Sequence, residues 1–238
     1  MKPLKADLHI HTSEDPEDLI RYSAKDLINK ASTLGYQVLA ITNHNHVTFS
    51  EYLRDYARER GIILIPGMEA TIERRHVLLY NLDFSLISRH DLKSLANVRD
   101  QQGLVIAPHP FYPSTMALRA KLIEYIHLFD GIEHCHFYSR TIDFNAKAKQ
   151  IAKRYNLPMV GTSDAHQWCQ FHTTYSLIEA EPDTQAVIEA IKLGRVTVVS
   201  EPLPMTTLLK IQAKMFWRNQ VRLKFMGSHK GPVVHQRT

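Results

Sequence analysis

The feature that most constrains this chain is where its histidines and carboxylates fall: each cluster sits where a short apolar run ends. Asp7-Leu8-His9-Ile10-His11-Thr12 closes the run that begins at Leu4, and Thr42-Asn43-His44 closes the run from Val38. Gly67-Met68-Glu69-Ala70 and His76 follow in the same manner, then Pro108-His109-Pro110 and Ser163-Asp164-Ala165-His166. Strand ends are where a parallel α/β fold presents its chemistry. Imidazoles and carboxylates gathered there from several strands make a multi-metal hydrolytic centre.

The intervening pattern supports that placement. Strand-like runs are expected at 4–10, 38–42, 62–66, 76–82, 104–107, 131–137, 159–161, 174–178 and 196–199. Helices are expected at 23–34, 49–60, 88–101, 114–127, 143–155 and 184–193. Ser23 and Asp26 have capping-box spacing, and Gly35, Gly61 and Gly194 stand where helices stop. Alternating β and α units imply parallel strands with right-handed crossovers. About seven such units close a barrel of the (β/α) kind; a doubly wound open sheet is the other solution. No glycine-rich phosphate loop follows the first strand, which argues against the nucleotide-binding version of the open sheet.

Composition bounds the class. The 238 residues suit one large α/β domain, with 44% hydrophobic and 22% charged content. No apolar run approaches a membrane span, and the first motif begins too early for a signal peptide to precede it. Two cysteines, Cys135 and Cys169, cannot form a disulfide framework, so the expected compartment is the cytoplasm. The net charge of +5 is uneven: residues 205–238 carry seven basic side chains and no acid, leaving 22 basic against 24 acidic residues before them. The expected division is a catalytic domain at 1–204 and a basic extension at 205–238, a helix followed by a disordered tail.

The 14 histidines are many for this length, and the clusters account for six of them. His9 and His11 share one strand face and can reach one cation, with Asp7 on the same face to orient a ligand. Glu69 has two oxygens and can bridge two cations. His76 and His109 are candidates for the second of these. Asp164 can join His9 and His11. A third cation needs His44, His166 and an oxygen donor from the acidic loop 13–18, for which Asp15 is the first choice. His136, at the end of a strand, and Tyr138 and Arg140 just past it are candidate phosphate or substrate contacts. Asp7, Glu69 and His166 are the candidate catalytic residues.

In order and spacing these motifs resemble those of the PHP (polymerase and histidinol phosphatase) superfamily. Asp7-Leu-His-Ile-His-Thr, Thr42-Asn-His, Gly67-Met-Glu, His76, Ala107-Pro-His-Pro and Gly161-Thr-Ser-Asp-Ala-His carry the likeness, over about residues 5–200. The resemblance implies a distorted (β/α)7 TIM-like barrel with a trinuclear metal site at the C-terminal ends of the strands. It implies one metal on His9, His11, Glu69 and Asp164, a second on Glu69, His76 and His109, and a third on His44, His166 and a loop ligand. It also implies a phosphoesterase using zinc, manganese or iron. Asn43 and Asn45 flank His44 where family members usually carry Asp. That lowers the local negative charge but keeps the ligand.

The resulting expectation is a metal-dependent phosphoesterase using two or three divalent ions. Its substrate would be a phosphorylated metabolite, a nucleotide or a nucleic-acid end. An amidohydrolase-type C–N hydrolase also begins with His-x-His on a barrel strand, and a weakened, metal-bound binding module is the non-catalytic alternative. Lys210, Lys214, Arg218 and Arg222 recur every four residues, a stripe that could meet nucleic acid or remain in solvent.

Overall fold

Strand β1 (Leu4–Ile10) is buried along nearly its whole length, because both of its faces are covered. A computed structural model describes residues 2–213, and the chain divides into compact units at Leu203 and Pro204. In the second unit, residues 205–213 are helical. Lys214, Arg218 and Arg222 of the expected basic stripe lie outside the described residues. Among the described residues no helix is long and apolar enough to cross a membrane.

The first unit follows β1 with α1 (Ala24–Thr33), β2 (Val38–Ile41), α2 (Glu51–Arg58), β3 (Ile63–Ile72), β4 (Arg75–Tyr80) and β5 (Leu104–Ala107). Then come α3 (Ala120–Glu124), β6 (Gly131–Cys135), α4 (Asn145–Tyr155), β7 (Met159–Thr162), β8 (Thr174–Ile178), α5 (Thr184–Lys192) and β9 (Val196–Ser200). The sheet order is β7-β6-β5-β4-β3-β2-β1-β8-β9. The ladders β1–β2, β2–β3, β5–β6 and β6–β7 are parallel. The expectation of uniformly parallel strands is corrected at β4, β8 and β9, whose ladders are antiparallel. This is the distortion in the barrel.

Local sequence explains most elements. Ser23 and Asp26 form the reciprocal capping box of α1, which buries Ala24, Leu27, Ile28 and Ala31 at helical spacing. The strand expected at 62–66 instead runs to Ile72. At Gly67 it exchanges its partner β2 for β4, turning back through Glu73 and Arg74 at φ 47° and 60°. Two consecutive positive-φ residues are what a tight two-residue hairpin requires.

Two expected helices are not formed as such. The 88–101 segment has a 3-10 helix at Leu92–Val98, because Ser94 Oγ donates to the Ser88 and Asp91 carbonyls and accepts from Ser88 N–H. Such local side-chain bonds compete with an α-helical ladder. The 114–127 segment is helical only from Ala120, with a 3-10 turn at Ile126–Leu128. The carbonyls of Thr115 and Ala117 accept from Arg75 and that of Met116 accepts from His76 N–H, so tertiary bonds use the acceptors a helix would need.

The core lies on both sides of the sheet. Leu4, Ala6, Leu8, Val38, Ala40 and Ile106 gather with Val187, Ile188 and Ile191 of α5. Ile10, Leu39, Ile41 and Leu64 pack with Leu27 and Ile28 of α1. β1 therefore changes the face it offers between Leu8 and Ile10, and its register against β2 shifts between Asp7 and Ile10. The barrel closes between β7 and β8 without a ladder. Ser176 Oγ accepts from Gly161 N–H at 2.9 Å and donates to the Gly161 carbonyl at 2.9 Å. A Cβ at Gly161 would lie 2.6 Å from the Tyr175 carbonyl oxygen, so the seam depends on a residue without a side chain.

Candidate metal centre

Glu69 is 1% exposed and stands among five imidazoles. Its Oε2 lies 3.4 Å from His9 Nε2, 3.4 Å from His11 Nε2 and 3.1 Å from His44 Nε2. Its Oε1 lies 2.6 Å from His76 Nδ1 and 3.1 Å from His109 Nε2. The extension of β3 past Gly67 carries Glu69 to this position, and a bridge between His44 and Glu69 ties the two segments. Asp164 enters from the turn after β7, at φ 45°, with Oδ1 3.4 Å from Nε2 of both His9 and His11.

The His9–His11 pair gives a direct test of whether a metal fits. Their Nε2 atoms are 3.2 Å apart. Their Nδ1 atoms face carboxylates: His9 meets Glu133 Oε1 at 2.6 Å, and His11 meets Asp15 Oδ2 at 2.9 Å. With hydrogen on Nδ1, both Nε2 lone pairs point at Glu69 Oε2 and Asp164 Oδ1. Tetrahedral ligands at about 2.0–2.1 Å from zinc are separated by about 3.3 Å. The nitrogen–nitrogen separation of 3.2 Å and the four nitrogen–oxygen separations of 3.4 Å match that spacing. A shared proton would satisfy one pair, whereas a cation satisfies all four donors.

Further donor groups continue from this one. His9, Glu69 and His109 offer converging atoms, as do His44, Glu69 and His76, and His11, His44 and His166. His166 Nε2 lies 2.9 Å from Asp18 Oδ2. Asp15 plays a different geometric part: Oδ2 accepts from His44 N–H and faces Nδ1 of both His11 and His44 at 2.9 Å. Its Oδ1 accepts the N–H groups of Glu17 and Asp18. Both Asp15 oxygens thus serve the loop and the far side of the rings.

The charges agree with a cation-attracting site. Burial alone would raise the Glu69 carboxyl, but His76, His9 and His44 hold it well below the usual range. Burial opposes protonation of His9, yet Asp164, Glu133 and Glu69 raise its pKa well above the ordinary value. His44 rises to about 11 against burial through Glu69 and Asp15. His11 rises to about 9 against burial and His44, through Asp15, Asp164 and Glu69. The same potential that draws protons onto these imidazoles favours divalent cations.

Not every sequence candidate is brought to the cluster. Asp7 is fully buried, and its Oδ1 accepts from the His9 and Ser163 N–H groups. Those bonds make it a support for the backbone of β1 and of the turn after β7. Burial pushes its carboxyl up to about 7 against hydrogen bonds from Ser163 and His9. His136 is buried, with Nε2 3.2 Å from Gln170 Nε2, and burial lowers it to about 4. Gln170 Oε1 in turn accepts from His166 N–H. Tyr138 stands edge-on to His134, while Arg140 is exposed on the loop after β6.

Sequence reasoning left Asp18 unselected among the acids of loop 13–18 and did not single out Glu133. Asp18 was one of several acids in the loop, with nothing local to select it. Glu133 is fully buried on β6, and its signal was a charge within an otherwise buried strand.

The PHP-associated family (PHP_C) matches residues 143–196. That segment is PHP-like. Uncharacterized protein MJ0417 of Methanocaldococcus jannaschii is 26% identical over 227 residues, covering 90% of this chain and 89% of that one. Three solved structures share the fold. A Bifidobacterium adolescentis protein assigned as a metal-dependent phosphoesterase is 18% identical at TM-score 0.53, covering 70% of this chain and 90% of that one. A Chromobacterium violaceum amidohydrolase with bound sulfate is 14% identical at TM-score 0.58, covering 81% and 97%. The lesion-specific endonuclease PfuEndoQ of Pyrococcus furiosus is 16% identical at TM-score 0.56, covering 82% of this chain and 57% of that one. At these identities the structural likeness is one of fold. The barrel of this chain is a nearly closed mixed sheet, and its candidate donors lie at one rim.

Proposed function

We propose that this chain is a PHP-type, metal-dependent phosphoesterase with two or three divalent ions. The observation that supports it best is the His9–His11–Glu69–Asp164 set, whose atoms are spaced as ligands of one cation. Glu69 Oε1, His76 and His109 would hold a second ion. His44 and His166 would hold the third, with Asp18 rather than Asp15 as the loop ligand, because both Asp15 oxygens are already occupied. Imidazole and carboxylate donors suit zinc, manganese or iron.

Bound divalent ions supply charge neutralisation at phosphoryl oxygens and lower the pKa of an attacking water. The chain's own residues fix where this happens. Glu69 turns Oε2 toward His9, His11 and His44 and Oε1 toward His76 and His109, and Glu133 and Asp15 set which ring nitrogen of His9, His11 and His44 faces inward. His166 Nε2 and Asp18 Oδ2, 2.9 Å apart, keep the third donor set together. Arg140 and Tyr138 remain candidate substrate contacts on the neighbouring loop.

The substrate class is a phosphate ester of a metabolite, a nucleotide or a nucleic-acid end. Cys135 and Cys169 are both free, in keeping with a reducing compartment. Should the extension meet nucleic acid, binding will be weak and salt-sensitive, and removal of residues 205–238 will abolish it. The deciding experiment assays protein purified without chelator for metal content, then for turnover of phosphate esters, amides and cyclic ureas with added Mn(II). Hydrolysis of phosphate esters alone is expected. Turnover of amides alone would establish the C–N hydrolase, and fewer than two metals with no turnover would establish a binding module.

A further inference from the structure

Glu133 belongs to none of the donor groups around Glu69, yet it contacts two of their members. It lies on β6 and is fully buried. Oε1 faces His9 Nδ1 at 2.6 Å and accepts from the Thr162 hydroxyl on β7. Oε2 accepts from the His109 backbone N–H, in the turn after β5, at 2.5 Å. Both carboxylate oxygens are therefore used, and β1, β6, β7 and the β5 turn meet at this one side chain.

Each contact constrains a different degree of freedom. A carboxylate accepts but does not donate, so the His9 ring must carry hydrogen on Nδ1, which leaves the Nε2 lone pair facing Glu69 and Asp164. His109 has φ 28°, a left-handed conformation that costs a non-glycine residue free energy. Its N–H bond to Glu133 offsets that strain and holds its Nε2 3.1 Å from Glu69 Oε1. One buried carboxylate thus sets the tautomer of one donor and the backbone of another.

We propose that Glu133 is a positioning residue that couples His9 to His109, and so organises the part of the metal centre these two build with Glu69, without ligating it. The proposal rests on the phosphoesterase reading above only in needing that part to bind a cation. A glutamine at this position keeps the volume but replaces one acceptor with an N–H donor. That donor must face His9 Nδ1–H, His109 N–H or the Thr162 hydroxyl. Facing His9, it would favour hydrogen on Nε2 and block the inward lone pair. Facing His109, it would release the strained turn. Groups that orient metal ligands in this manner are worth about tenfold to a hundredfold in metal affinity.

The test is calorimetric titration of the metal-free full-length chain with Mn(II), comparing wild type with Glu133→Gln, beside thermal unfolding of the metal-free proteins. The expected result is that one class of sites weakens about tenfold to a hundredfold, with the number of bound ions at saturation and the behaviour of the other class unchanged. Thr162→Val keeps the side-chain shape and removes only the hydroxyl donor. It should weaken the same class by a few-fold, which keeps the proposal testable should Glu133→Gln not fold. Titrations of both variants that superimpose on wild type, whatever their melting temperatures, would overturn the proposal. Loss of a whole equivalent of Mn(II) at saturation in Glu133→Gln would also overturn it, by making Glu133 a ligand. A wild-type chain that binds no Mn(II) removes the phosphoesterase reading and this one together, whereas wild-type binding with unaffected variants removes only this one.

Discussion

The two halves of the candidate metal centre are supported differently. In the strand-held half, His9, Glu69 and His76 stand on β1, β3 and β4, and the far side of His9 is set by Glu133, 124 residues away in sequence. In the loop-held half, His11 and His44 are set by Asp15, which folds its own loop by accepting the N–H groups of Glu17 and Asp18. The first arrangement exists only when distant strands pair. In the second, both carboxylates come from one short acidic segment, while His44 and His166 reach it from elsewhere in the chain. The difference predicts a strand-held half that is rigid and tight, and a loop-held half whose occupancy can be changed alone.

Glu69 is the point at which this division fails, since it serves both halves. Glu69→Gln is expected to cost metal retention and phosphate-ester turnover by more than the tenfold to hundredfold typical of a residue that only supports a ligand. Metal analysis after gel filtration, paired with the esterase assay, checks this. Retention of every equivalent with full activity would show that Glu69 is not the shared ligand.

Asp18→Asn sharpens the comparison next. It should remove the loop-held ion, seen as one fewer equivalent by mass spectrometry, and leave the strand-held set occupied. Asp15→Asn should keep the stoichiometry and weaken the loop-held ion about tenfold to a hundredfold. If the two variants exchange behaviour, Asp15 is the ligand and Asp18 its support.

The smallest effect on the site, though not on the fold, belongs to the closure seam. Gly161→Ala would force its Cβ within 2.6 Å of the Tyr175 carbonyl oxygen and 2.9 Å of Val198 Cγ1. Such crowding costs about 1–3 kcal/mol, read as a lower denaturation midpoint of the metal-free protein. Ser176→Ala leaves the Gly161 N–H and carbonyl without their bonds, at about 1–3 kcal/mol for a buried group left unsatisfied. Neither variant should change metal stoichiometry if the seam and the rim are independent.

Much of this was legible in the sequence, and the exceptions share a cause. Ser23 with Asp26, Ser50 ahead of α2 and Asp183 ahead of α5 are caps whose partners lie within three residues, so the helices they start can be read locally. The 114–127 segment could not be read, because Arg75 and His76 claim its carbonyls from forty residues away. The antiparallel course of β4 was equally hidden. Glu73 and Arg74 carry no glycine to mark the turn, and positive φ there is sustained by pairing on both sides.

By itself, the sequence determined the donor inventory: which imidazoles and carboxylates exist, and that they stand at the ends of apolar runs, because burial periodicity and ligand chemistry are properties of the chain itself. The tertiary structure decided which oxygen serves which ring. It bonded Asp7 to the backbone of His9 and Ser163, turned Asp15 to the far side of His11 and His44, brought Asp18 to His166, and placed Glu133 beneath both His9 and His109. Those assignments depend on ångström-scale distances between strands, which exist only after the barrel has closed.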